Sequence, residues 1–351
     1  MRTLLILSWV VVGVVSVLTP IAVTAEEKFR VCWSHYTGWE PWEFARHKGI
    51  LDRWAAKEGI SIQLDRVNDY IESINLYTSG TYDACTMTNM DALTIPAVGG
   101  VDSTALIIGD FSDGNDGIVM KGGTTVADLK GRKINLVELS VSHYLLSRAL
   151  SMNNLTEREV SLVNTSDADI GSVFVSSENG AAVTWNPILM QARNSKGATL
   201  VFDSSKIPGE IIDLMVVKTA ASEKLKRALV GAWYETMAIL KNGGKEADEA
   251  IDFMAKNSGG TPAEFRAQLK TTRMFFTPSE AVAFAQSADL KRTMEYVRSF
   301  SFDHGLFGDG ARDKNVVGIE FSDRSVIGDS KNVKLRFPSN WMEGAESGAR
   351  S

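Results

Sequence analysis

The chain has 351 residues, enough for two domains with separate cores. Lysine and arginine number 37 against 43 aspartate and glutamate, a formal charge of −6 that excludes nucleic acid as a main partner. Apolar residues at 44% and charged residues at 23% describe a soluble globular protein and exclude a membrane bundle or a disordered chain. Two cysteines, Cys32 and Cys85, are too few for a disulfide scaffold, and the four histidines show no HxxxH or HExxH spacing, so no metal site and no cofactor is expected.

Residues 1–25 read as a cleaved secretory signal. Arg2 supplies a positive start, Leu4 to Leu18 is almost wholly apolar, and Thr19-Pro20 and Val23-Thr24-Ala25 give a helix break and a small-residue exit. The rival reading is a permanent anchor, since the apolar stretch to Val23 is nearly long enough to span a bilayer. The absence of a Cys at the exit argues against a lipid anchor. The expected location is therefore the periplasm.

After the signal, strand and helix patterns alternate. Strands are predicted at Phe29–Trp33, Ile60–Leu64, Asp83–Met87 and Thr104–Gly109, with helices from Pro41 to a stop at Gly59, over Tyr70–Ser79 and over Met90–Val98. This rhythm implies a parallel sheet with right-handed crossovers. Residues 110–117, Asp-Phe-Ser-Asp-Gly-Asn-Asp-Gly, lack the spacing of an EF-hand and read as a turn-rich crossover. The rhythm restarts with strands at Ile134–Val137, Val160–Val163, Ala181–Thr184, Thr199–Phe202 and Leu214–Lys218, and with a helix over Ser142–Asn153 that Ser142 caps. Helices alone follow, at about 223–242, 245–257, 262–271 and 278–302, and residues 303–351 read as a wrapping tail. The expected organisation is one α/β lobe from 26–115 and 214–351, interrupted by a second from 116–213, with a ligand cleft at the carboxyl ends of the strands. Cys32 and Cys85 are expected as free buried thiols, because neighbouring parallel strands seldom bridge this way.

Enzyme signatures are missing: no GxSxG, Walker loop, GxGxxG after a strand, or SxxK. The loops after the strands instead gather aromatic and acidic groups. They carry His35-Tyr36-Thr37-Gly38-Trp39-Glu40-Pro41-Trp42, Thr88-Asn89-Met90-Asp91, Glu138-Leu139-Ser140-Val141-Ser142-His143 and Trp185-Asn186-Pro187, and the return crossover brings Glu210 and Asp213. Asp91 serves equally well as a helix cap or a ligand contact. Glu138, directly after a buried strand, favours function. Trp185 is as readily packing as cleft wall, one of Trp39 and Trp42 belongs to the core, and His143 is equally a surface residue or a donor. Glu40, Glu43 and Glu210 are more often solvated charges than ligand groups.

The run Val126-Ala127-Asp128-Leu129-Lys130-Gly131-Arg132-Lys133-Ile134, with Ser142-His143-Tyr144-Leu145-Leu146 and Ala181-Ala182-Val183-Thr184-Trp185-Asn186-Pro187, resembles periplasmic substrate-binding proteins of ABC transporters of the nitrate/taurine class over about residues 28–300. Gly38-Trp39-Glu40-Pro41-Trp42 with Thr88-Asn89-Met90-Asp91-Ala92-Leu93 resembles the urea carboxylase-associated branch, whose cargo is urea or guanidine. The resemblance implies a two-lobed type II periplasmic-binding-protein fold, each lobe a mostly parallel sheet flanked by helices. It also implies a solute-binding component, not an enzyme, that closes by hinge motion and passes a small molecule to a membrane permease, working as a monomer.

Anion-binding relatives offer hydroxyls, amides and basic groups, whereas here the matching positions bring Asp91 and Glu138. A planar guanidinium-like cation suits such carboxylates with an indole on its face. The expected ligand set is Trp39, Thr88, Asn89 and Asp91 from one lobe and Glu138, Ser140, His143 and Trp185 from the other, with Asp213 near the hinge. Alternatives are neutral urea or a related amide, a small anion such as taurine or nitrate, and, as a different class, a pyrimidine-synthesising enzyme of the same fold.

Overall fold

The computed structural model describes residues 26–348; the expected signal segment, residues 1–25, lies outside them. Strand β1 (Glu27–Trp33) leads through an aromatic loop to helices α1 (Glu40–His47) and α2 (Ile50–Lys57), one predicted helix that breaks where Gly49 takes a φ of 67°. Then come β2 (Ile60–Arg66), α3 (Tyr70–Thr78), β3 (Ala84–Thr88) and the short α4 (Asn89–Ala92), which continues as a π turn through Pro96. Strand β4 (Ser103–Ser112) closes this first run.

The second lobe contains β5 (Asp116–Lys121), β6 (Lys133–Leu136), α5 (Val141–Met152), β7 (Ser161–Asn164), α6 (Asp167–Ser176), β8 (Ala181–Trp185), α7 (Ile188–Arg193) and β9 (Ala198–Asp203). The chain returns through β10 (Ile212–Lys218) to α8 (Glu223–Asn242), α9 (Gly244–Asn257), α10 (Pro262–Leu269) and β11 (Thr272–Met274). It ends with α11 (Pro278–Ala285), α12 (Ala288–Asp303), β12 (Gly318–Phe321), β13 (Val326–Gly328), β14 (Val333–Phe337) and α13 (Asn340–Gly348).

Two sheets organise these elements. The larger runs β13-β12-β14-β4-β10-β3-β1-β2, with β11 also on β4; the smaller runs β7-β6-β8-β5-β9. Neither is wholly parallel, as the strand–helix rhythm had suggested. Strand β10 lies antiparallel to both β3 and β4, and β5 antiparallel to β8 and β9. The reason is topological: β4 leaves the lobe at its carboxyl end and β10 enters it at its amino end, so strands sharing the crossing edge must run in opposite directions. The two crossings are tied where the Ser204 hydroxyl sits 2.7 Å from that of Ser112 and accepts from the Gly114 N–H at 2.8 Å.

Several local expectations are corrected. The turn predicted over 110–117 shrinks to 113–115, because β4 runs to Ser112 and β5 starts at Asp116. The hydroxyl of Ser140, not Ser142, caps α5, accepting from the Ser142 N–H. The tail is no simple wrap: β12–β14 extend the large sheet, with β14 parallel to β4. Cys32 and Cys85 are not free thiols. Strands β1 and β3 place them in register with Cα atoms 4.5 Å apart, and the two sulfurs are joined in a disulfide.

Candidate ligand site

A small cavity lies between the two sheets, lined by Tyr36, Trp39, Tyr70, Thr88, Asp116, Val141, Trp185 and Asp213. Its free volume is about 10 Å³, room for about one water. Four aromatic rings form its wall in sequence. Tyr36 meets Trp39 edge-on at 5.0 Å between ring centres, Trp39 meets Tyr70 at 5.8 Å, and Tyr70 meets Trp185 edge-on at 5.4 Å. Trp42 is settled as core, since it stacks on Trp233 at 5.0 Å and is fully buried.

Four buried carboxyls surround the rings. Strand pairing sets Asp213 of β10 between Thr88 of β3 and Asp110 of β4, so the three side chains share one sheet face. Asp116 stands opposite Trp185 across β5 and β8 of the other sheet. Asp91 sits in the first turn of α4, where the Thr88 hydroxyl caps the helix by accepting from the Asp91 N–H at 3.3 Å. The cap of α4 is therefore Thr88 and not Asp91.

Asp91, Asp110 and Asp213 each keep one buried oxygen without a hydrogen-bond partner. Oδ2 of Asp91 accepts from the Tyr70 hydroxyl at 2.7 Å, the Thr88 hydroxyl at 2.9 Å and the Val141 N–H at 3.4 Å, while Oδ1 is buried without a partner. The Tyr36 hydroxyl donates to Oδ1 of Asp110 at 2.8 Å. Asp110 and Asp213 stand side by side in register on neighbouring strands, and Oδ2 of each is buried without a donor. Among the described residues none of the four is ion-paired with lysine or arginine.

Burial therefore dominates their acidity. It pushes Asp91 up to about 6 against its hydrogen bonds, and Asp116 up to about 7 with help from the charges of Asp110 and Asp91. Asp110 and Asp213 are both raised by burial, Asp213 further because the Asp110 charge lies beside it. Tyr36 and Tyr70 are pushed well above the usual phenol range by burial and by their carboxyl partners. The arrangement is an aromatic-walled box with excess negative capacity, which an organic cation would satisfy.

Of the expected ligand residues, Trp39, Thr88, Trp185 and Asp213 line the cavity, and Asp91 stands directly behind Tyr70 and Thr88. The others lie elsewhere. Glu138 is exposed, its N–H donating to Asn164 Oδ1, because the chain turns outward after β6. Asn89 bridges backbone, donating to the Glu210 carbonyl at 3.1 Å and accepting from the Ile212 N–H at 3.0 Å. Ser140 is a helix cap whose hydroxyl donates to the Val137 carbonyl. His143 accepts from the Leu139 N–H through Nδ1 and faces Glu157 through Nε2 at 3.2 Å, away from the cavity. Glu210 holds Arg148 with two 2.9 Å bonds and accepts from Tyr144, tying the return crossover to α5. Glu40 is fully buried but faces His35 and Asn257.

Sequence reasoning missed Tyr36, Tyr70, Asp110 and Asp116. The signal for the last two was a strand-like apolar run ending in Asp on either side of the crossover, which a turn reading of 110–117 concealed. Gly38 is required by the same site, since a Cβ there would lie 2.5 Å from Tyr36 Cε1 and 2.6 Å from Asp110 Oδ2. No group of three or more metal-ligating side chains is present among the described residues, and no helix there is long and apolar enough to cross a membrane.

The lobes meet around this cavity. The Trp185 indole N–H donates to the His35 carbonyl at 2.9 Å, and the Thr37 N–H donates to the Asn186 carbonyl at 3.3 Å. Comparison with solved structures gives the same architecture. The alkanesulfonate-binding protein SsuA of Xanthomonas axonopodis pv. citri, bound to MOPS, matches with a TM-score of 0.67 at 16% identity, over 82% of this chain and 96% of that one. The periplasmic aliphatic sulphonate binding protein SsuA of Escherichia coli matches at 0.62 and 17% over 80% and 89%. The periplasmic nitrate-binding protein NrtA of Synechocystis PCC 6803 matches at 0.65 and 10% over 92% and 89%. These likenesses establish the two-lobed type II periplasmic-binding-protein fold. No curated protein matches the chain in sequence. The NMT1/THI5-like family model matches residues 45–237, more than half the chain, and the protein belongs to that family.

Proposed function

We propose that the protein is the extracytoplasmic solute-binding component of an ABC importer, carrying a small guanidinium-like cation between its lobes to a membrane permease. The carrying observation is the set of four buried carboxyls, none ion-paired to a lysine or arginine among the described residues, around a box of four aromatic rings. The fold, shared with proteins described as sulfonate- and nitrate-binding, supports the carrier role. The buried Cys32–Cys85 disulfide supports an oxidising compartment such as the periplasm.

The same observations argue against an anionic cargo. A sulfonate or nitrate in this box would face carboxylates with no basic group to offset them, at a cost of several kcal/mol. A guanidinium ion presents N–H donors along its edges and a weakly hydrated face, which match carboxyl oxygens and indole or phenol rings respectively. It has more heavy atoms than the present cavity, with room for about one water, can hold, so loading requires the box to widen. Transport requires only lobe closure and reopening, with no covalent step.

A thermal-shift series at millimolar guanidinium, methylguanidinium, urea and taurine tests the reading. A ligand present at about 100 times its Kd adds about 2.7 kcal/mol. The cations should raise Tm by several degrees and taurine should leave it unchanged. A rise with taurine alone would overturn the cation reading.

A further inference from the structure

Resting on that reading, the carboxyl pair behind the cavity adds a second property. Asp213 lines the cavity, and Asp110 lies behind it in direct register on the adjacent strand. Both are fully or almost fully buried, Oδ2 of each is without a donor, and two neighbouring buried carboxyls with no cation beside them cannot both ionise, so one of them carries a proton. The Tyr36 hydroxyl donates to Oδ1 of Asp110, which favours the anion there and leaves the proton on Asp213, the member that faces the cargo. We propose that Asp110 and Asp213 hold one proton between them and that the incoming cation displaces it, so that loading is a cation-for-proton exchange.

The balance is simple. The Asp213 O–H bond breaks, its electron pair stays on the carboxylate, the proton passes to solvent, and an N–H edge of the cation donates to the ionised Asp213 in its place. The pair carries one negative charge before loading and two afterwards, the added one offset by the cation. Neutral urea brings no such charge, so it would leave the proton in place and lose the second carboxylate as an acceptor. Asp110 is thus a positioning residue for specificity, acting through Asp213.

The other titratable groups around the pair are Tyr36 from the loop after β1, Asp116 from β5, and Asp91 with Tyr70 beyond them. Arg273 of the neighbouring β11 is exposed. Burial raises Asp116 and Asp91 as well, so a proton released on binding must be traced to its source.

Calorimetric titration of the protein with guanidinium chloride at pH 7, in phosphate and in Tris, counts protons released from the difference in heats. The wild type should release about one per cation, Asp110→Asn should lose most of that release, and the infrared band of the protonated carboxyl should vanish when guanidinium saturates the wild type. The infrared measurement needs no variant, so a poorly folding Asp110→Asn does not leave the exchange unexamined. Guanidinium binding with no buffer dependence and no infrared change would overturn the exchange and leave the cation reading intact. Release undiminished in Asp110→Asn would assign the proton to Asp116 or Asp91 and overturn the role of the pair. Failure of guanidinium to bind at all would overturn both readings.

Discussion

The backbone N–H of Tyr70 donates to Oδ1 of Asp167 at 2.9 Å, joining the first residue of α3 in one lobe to the first residue of α6 in the other. The contact is doubled in the reverse sense, since Ser166, the cap of α6, donates its hydroxyl to Asp69, the cap of α3, at 2.7 Å. Two helix amino termini are thus bonded to each other across the cleft, next to a ring of the box. Both ends carry exposed N–H groups and positive dipole ends, and the two carboxylates offset them.

Removing that clasp should open the lobes. Asp167→Ala leaves the Tyr70 N–H without its acceptor, and a buried hydrogen bond to a charged group is worth about 1.5–3 kcal/mol. Guanidinium affinity should fall by roughly tenfold or more, and the radius of gyration by solution scattering in the presence of ligand should rise. An unchanged scattering profile with unchanged affinity would show that the clasp does not contribute to closure.

The aromatic wall should matter unequally along its length. Trp39→Leu removes the central ring, and a desolvated cation–π contact is worth about 2 kcal/mol, or roughly a thirtyfold loss of affinity. Trp185→Phe keeps a ring but deletes the indole N–H that reaches the His35 carbonyl, so a loss of only about 1 kcal/mol is expected. Titration of both variants by intrinsic fluorescence checks the order.

Acid should release the cargo. Asp91 and Asp116 bind protons up to about pH 6 and 7 in the closed protein, where ordinary aspartate has lost them by pH 5. Raised carboxyls favour the protonated form, so folded stability without cargo falls as pH rises from about 4 to 7. Cation binding needs the ionised form and runs the other way: affinity falls as pH drops below about 7, by up to tenfold per pH unit for each proton taken up. Equilibrium titrations at pH 5, 6, 7 and 8 read this slope directly, and a flat profile would contradict it.

Glu138→Gln should change affinity less than about twofold, because the side chain is exposed and outside the cavity. Gly38→Ala, by contrast, should disable binding, because the new methyl would push into Tyr36 and Asp110. The pair of titrations separates the residue that sequence spacing favoured from one that the packing requires.

Reduction of the Cys32–Cys85 bridge should lower stability. The bond closes a loop with a sequence separation of 53, for which chain entropy gives an upper figure of about 4 kcal/mol. Melting with and without reductant, or of Cys85→Ser, should show a drop of several degrees.

The fold was largely legible because its signals are local. Apolar runs such as Ala84–Thr88, and the length and apolar face of Glu223–Asn242, need no tertiary context. The site was legible only where a strand's carboxyl end pointed at it, as with Thr88, Trp185 and Asp213. Asp110 escaped notice because its importance comes from register with Asp213, 103 positions away in the chain, and register is a property of pairing. Tyr70 escaped for a related reason: at the start of α3 it reads as a helix residue, and only packing turns its ring towards Trp39 and Trp185. Glu138 misled because one residue of extra turn after β6 carries it from cleft to solvent.

The most direct measurement is an equilibrium titration of the protein, followed by tryptophan fluorescence at pH 8, with guanidinium, urea and taurine in turn. Guanidinium should quench or shift the emission at micromolar to low millimolar concentration, through Trp39 and Trp185, with urea far weaker and taurine silent. Saturable binding of taurine in preference to guanidinium would contradict the claim that this is a cation box.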